Sequence, residues 1–207
     1  RFLQATLPVV RPLFSWGGAV LWLAVVVPAI ALAVIYWTDL SNDFLGRTLS
    51  PRSAVIVWFI FPLLKALHEL GHAYSVKVFG GEVHEMGIMV LVVTPVPYVD
   101  ASAASAFPGK WQRVLVGAGG MIVEVFIAAI AMYVWVAAEP GLLRAIAYNV
   151  IVIAGISTVL FNANPLLRFD GYHILADAIE IPNMRQRATT YFQYLVERYG
   201  FGRRDAE

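Results

Sequence analysis

Apolar residues in this chain gather into long unbroken runs. The run over 16–37 contains no charged residue, and further runs cover 53–79, 114–137 and 142–163. A helix needs about 20 apolar residues to cross a bilayer, so the pattern predicts four transmembrane helices. Trp16, Tyr36 and Trp37 stand at the ends of the first run, where amphipathic rings favour the membrane interface. Glu139-Pro140-Gly141 separates the last two runs by a tight turn, so those helices are expected to be antiparallel neighbours.

Two stretches break this pattern. Residues 80–101 are rich in Val and punctuated by Gly and Pro, the signature of short strands or a hairpin. Extended backbone at membrane depth needs protein or a cavity to satisfy it, so this piece is placed against the helix bundle or re-entrant beside it. The following 102–113 is a small-residue linker, partly helical. Residues 182–207 turn polar and read as an amphipathic surface helix with a fraying tail. The expected fold is thus an all-α polytopic membrane protein of about four spans. A short β-hairpin or re-entrant segment sits between the second and third, the core covers 1–181, and a cytoplasmic tail covers 182–207. No internal repeat is visible.

Composition agrees with this division. The 207 residues are 59% hydrophobic and 14% charged, well away from soluble proportions. A net charge of +1 gives no reason to expect a nucleic-acid partner, and the absence of Cys excludes disulfides, thiolate metal sites and a Cys nucleophile. The first run is too long for a signal-peptide core and lacks a clear cleavage site. The chain begins at Arg1, not Met, as an excised or processed segment would.

Basic residues set an expected orientation. With the N-terminus inside, the inner segments hold Arg1, Arg11, Lys77, Lys110, Arg113, Arg185, Arg187, Arg198, Arg203 and Arg204. The outer loops hold Arg47, Arg52 and Arg144. Both termini are therefore expected in the cytoplasm.

The second run holds Lys65, His68, Glu69 and His72, ionisable groups that are costly at bilayer depth and rarely kept there without a use. His68 and His72 are four apart and share one helix face, close enough to bind one metal ion. Imidazole is a common zinc ligand, and the adjacent Glu69 suits the role of general base on a bound water. A hydrolytic zinc site usually takes a third protein ligand. His84, His173, Glu124, Asp170 and Asp177 are the candidates. Asp170 follows the inner end of the fourth run, which points the same way as the second, so it can reach the depth of His68. Pro165 breaks the helix before it, and Gly171 allows close backbone approach.

The motif HELGH (His68 to His72), followed about a hundred residues later by Asn-x-x-Pro-x-x-x-Phe-Asp-Gly (Asn162 to Gly171), resembles the site-2 protease family of intramembrane zinc metalloproteases. The likeness runs from Ser53 to Asp177. It is nearest to the bacterial branch described as peptide zinc metalloproteases, which are linked to peptide export or processing. The resemblance implies one Zn2+ per chain on His68, His72 and Asp170. Glu69 would then activate water, and Asn162 would help hold the substrate or the developing oxyanion. The 80–101 hairpin would bind an unwound peptide or transmembrane-helix substrate by β-addition. Phe169 stands where many members have Leu, and no inserted PDZ-like domain is present.

Some residues keep two readings. Glu124 in the third run is a functional group, or it is protonated or hydrogen-bonded to a neighbouring helix. Lys65 snorkels to an interface or pairs with an acid. His173 is a second partner to the site, an oxyanion donor or a plain interfacial residue. His84 and Glu85 read as surface residues of the hairpin. The competing function is a non-catalytic zinc-binding subunit of a peptide export or efflux complex. Retention of Glu69 favours the enzyme, because a relic has no need of the base. A membrane di-iron or haem protein is disfavoured by the small number of histidines and by their shared helix.

Overall fold

A computed structural model describes residues 2–42, 44–181 and 183–201. Of the residues counted above, Arg1, Arg203, Arg204 and the end of the tail lie outside this set. The helices in chain order are α1 (Phe2–Val10), α2 (Trp16–Ile35), α3 (Trp37–Ser41), α4 (Phe44–Thr48), α5 (Pro51–Val78), α6 (Lys110–Ala137), α7 (Leu142–Gly155), α8 (Asp170–Ala178) and α9 (Met184–Leu195). α7 runs on as a π-helical stretch, Ile156–Asn162. Four helices are long and apolar enough to cross a membrane: Trp16–Ile35, Pro51–Val78, Lys110–Ala137 and Leu142–Asn162. They match the expected spans to within a few residues. The expected all-α polytopic membrane fold is therefore observed.

Local sequence explains the helix ends. Pro51 opens α5 with φ already set for a helix, and Ser50 caps it by accepting the Ser53 N–H. Many large apolar side chains on α2 stay exposed, Val20, Leu21, Leu23, Val27, Ile30 and Val34 among them, which suits lipid contact. Its other face packs on α6, and Val26 and Ala29 join a core cluster with Ala129, Met132 and Trp135 of α6 and Ala147 and Tyr148 of α7. α6 and α7 pack as antiparallel neighbours across the turn at Pro140-Gly141.

Residues 80–101 form one hairpin. Strand β1 (Met86–Leu91) pairs antiparallel with β2 (Thr94–Val99), Met86 facing Val99 and Leu91 facing Thr94. β2 packs on α5. The small-residue linker is partly helical, as expected: it forms a 3-10 turn, Ser102–Ala106, and from Lys110 it is already the start of α6.

The hairpin, α1, α8 and the starts of α2 and α6 gather at one end of the bundle, with the C-terminal end of α5. Thr6 and Tyr74 share a 2.6 Å hydrogen bond between α1 and α5. Arg113 of α6 meets Asp177 of α8 at 2.9 Å. The loop carrying α3 and α4 lies at the other end, where the Tyr148 hydroxyl donates to the Leu40 carbonyl.

Candidate metal centre

The metal candidates come from two elements. α5 carries His68 and His72 one turn apart, both buried. Asp170 is the first residue of α8, reached after the fourth span ends at Asn162 and the chain turns through Asn164, whose side chain accepts the Leu166 N–H. Nε2 of His72 lies 3.0 Å from Nε2 of His68. The Asp170 carboxylate oxygens lie 3.1 Å from His68 Nε2 and 3.5 Å from His72 Nε2. One atom from each residue thus falls within 4.8 Å of the other two.

Close packing makes this meeting possible. Gly71 of α5 sits on Gly119 of α6, backbone to backbone, and the His68 ring lies flat over Gly120, where a Cβ would collide with it. Gly171 touches the Ala163 and Asn162 carbonyls, which brings the start of α8 back onto the end of the fourth span. The close approach read from the sequence at Gly171 is therefore to its own chain.

The far side of each imidazole fixes its tautomer. His72 Nδ1 lies 2.7 Å from the Val116 carbonyl oxygen. A carbonyl only accepts, so Nδ1 carries the hydrogen and Nε2 of a neutral ring presents a lone pair. His68 Nδ1 faces Glu124 Oε2 at 3.3 Å, within ion-pair range but off the line of a hydrogen bond. The negative charge of a carboxylate there favours a proton on Nδ1, without the directional bond that His72 has. Two imidazole lone pairs and a carboxylate then point at one another. Asp170 Oδ2 is moreover buried with no hydrogen-bond donor. Such a cluster of acceptors repels itself unless a cation or an extra proton sits among them. A donor set of two imidazoles and one carboxylate, with oriented outer partners, fits a zinc ion of the kind that leaves one position open.

Glu69 projects half-buried beside this cluster, with the Val99 backbone of β2 against its carboxyl. Hydrogen bonding assigns the hairpin edges. The Asp100 N–H donates to the Glu85 carbonyl, so in this register 94, 96 and 98 also face β1. Pro95, Pro97 and Val99 turn outward. The outer edge of β2 therefore offers carbonyl acceptors at two prolines that have no N–H to give.

The other expected site residues fall in different places. Asn162 is buried, and its amide donates to Glu124 Oε2 at 3.2 Å and to Ser157 Oγ at 3.5 Å. His173 is exposed on α8 with its ring edge-on to Tyr172. His84 and Glu85 are exposed on the hairpin, as expected. Asp177 is tied to Arg113 and stands apart from the cluster. Of the readings left open, Lys65 pairs with an acid and Glu124 bonds neighbouring helices. Val116, Ser157 and Thr158 escaped sequence reading. The first contributes only a backbone carbonyl, and the other two carry no spacing signal.

Compared with protein-family models, curated proteins and solved structures, the chain matches none.

Proposed function

We propose that this protein is an intramembrane zinc endopeptidase of the site-2 protease type, cutting membrane-embedded or membrane-delivered peptides. The observation that carries the reading is the convergence of His68 Nε2, His72 Nε2 and an Asp170 oxygen, with the His72 ring held from behind by the Val116 carbonyl. A zinc ion bound there supplies Lewis acidity and lowers the pKa of a coordinated water to about 7.

The remaining work falls to named residues. His68, His72 and Asp170 hold the ion. Glu69, next to the ligands and half-buried, takes a proton from the attacking water and returns it to the leaving amine. The carbonyls of Pro95 and Pro97 accept N–H groups of an unwound substrate strand lying along β2. Asp170 keeps 22% side-chain exposure, so the centre is not fully sealed by protein. The charge distribution supports an orientation with the termini and the metal centre toward the cytoplasm, and the resemblance to the bacterial branch supports an inner-membrane location.

The test compares wild type with Glu69→Gln in purified, zinc-quantified protein, against a library of transmembrane and signal-like peptides. Zinc near one per chain in both proteins, with cleavage only in the wild type, is the expected outcome. A wild type that holds no zinc overturns the reading.

A further inference from the structure

The mechanism above makes little use of the most buried charge in the described residues. Glu124 is fully buried in the middle of α6. Both of its oxygens are occupied. Oε1 accepts from Lys65 Nζ at 2.7 Å. Oε2 accepts from Thr158 Oγ1 at 2.7 Å and from Asn162 Nδ2 at 3.2 Å, and lies 3.3 Å from His68 Nδ1. Lys65 also donates to Ser157. Three spans therefore meet on one carboxylate: Lys65 and His68 from α5, Glu124 itself from α6, and Ser157, Thr158 and Asn162 from the π-helical end of the fourth span.

We propose that Glu124 is a positioning residue for the metal centre: it orients His68 through Nδ1 and holds the segment that leads to Asp170 through Thr158 and Asn162. This rests on the zinc reading above. A counter-ion for Lys65 alone would need one oxygen, Oε1, which also accepts from Ser157 at 3.5 Å; the second oxygen is turned to His68, Thr158 and Asn162. The partners of that oxygen sit where a π-helix ends the span, and such irregular turns collect at functional sites. Asn162 gives its amide to Glu124. Lys65 has a matching duty. Its ammonium offsets the Glu124 charge, so among the three ligands and their outer partners Asp170 carries the uncompensated charge. A carboxylate behind a metal-bound imidazole fixes ring and tautomer, and losing such a partner typically weakens metal binding about 10–100-fold.

The experiment measures zinc affinity by chelator competition, and the visible spectrum of the cobalt-substituted protein, in full-length wild type and in Lys65→Met/Glu124→Gln. Replacing both residues removes the pair without stranding a buried charge. The expected result is a monodisperse double variant whose zinc affinity falls about 10–100-fold and whose cobalt bands move. Wild-type affinity with an unchanged cobalt spectrum overturns the proposal and leaves Glu124 a counter-ion for Lys65. If the double variant fails to fold, Glu124→Asp decides the question. It keeps the charge but withdraws the carboxylate by one methylene, so unchanged affinity and spectrum again overturn the proposal. A wild type that binds no zinc defeats the parent reading at the first measurement. Unaltered variants beside a zinc-loaded wild type defeat this one alone.

Discussion

His72 Nδ1 and the Val116 carbonyl oxygen meet at 2.7 Å across the contact between α5 and α6. That bond carries no sequence signature, yet it decides which nitrogen of His72 is free for a metal. Nitrogen-15 NMR of histidine-labelled, metal-free protein at neutral pH should therefore find His72 as the Nδ1–H tautomer. A signal from the Nε2–H form would remove one lone pair from the proposed centre.

The proposed third ligand separates two aspartates seven residues apart in the sequence. Asp170 faces both imidazoles, whereas Asp177 is bound to Arg113 in a partly exposed pair. Asp170→Asn should lower zinc well below one per chain. Asp177→Asn should leave zinc content unchanged and cost under about 1 kcal/mol of stability, because solvent screens that pair. Metal analysis alongside thermal unfolding checks both, and zinc loss in Asp177→Asn with retention in Asp170→Asn would reverse the assignment.

The spans were legible because a bilayer demands long apolar runs whatever their packing. His68 and His72 were legible because a helix turns four-residue spacing into adjacency. Asp170 needed more: the order of the spans, a helix break at Pro165, and the resemblance of its motif. α1 was missed, since its nine residues include Pro8 and its anchoring to α5 at Tyr74 lies far along the chain. The partners of Glu124 were missed for the same reason. Lys65 is 59 residues away and Thr158 is 34. An isolated buried acid announces that it needs partners, but sequence spacing within one helix does not say which ones lie on its neighbours.

Two adjacent glycines on α6 should fail differently. A Cβ at Gly119 meets Gly71 backbone, which cannot move without parting the helices, whereas a Cβ at Gly120 meets the His68 ring. Gly119→Ala should cost about 1–3 kcal/mol, the usual penalty of overpacking. Gly120→Ala should displace His68 and lose zinc with the smaller loss of stability. Equal zinc retention in both variants, measured per folded chain, would show that the ring has room to shift.

Orientation can be read directly, because a chain without Cys makes every introduced thiol unique. Arg11, Lys77, Lys110 and Arg113 cluster at the end of the bundle that carries the metal centre, with Arg185 and Arg187 following α8 in the chain. Arg47, Arg52 and Arg144 occupy the opposite end. On the proposed orientation, the excess at the first end sets it toward the cytoplasm. Leu49 and Glu85 are both exposed, one at each end. In intact bacterial cells, Leu49→Cys should react with a membrane-impermeant maleimide, and Glu85→Cys should react only after permeabilisation. The reverse pattern would turn the metal centre outward, so that Glu69 would meet its peptides from the outer side of the membrane.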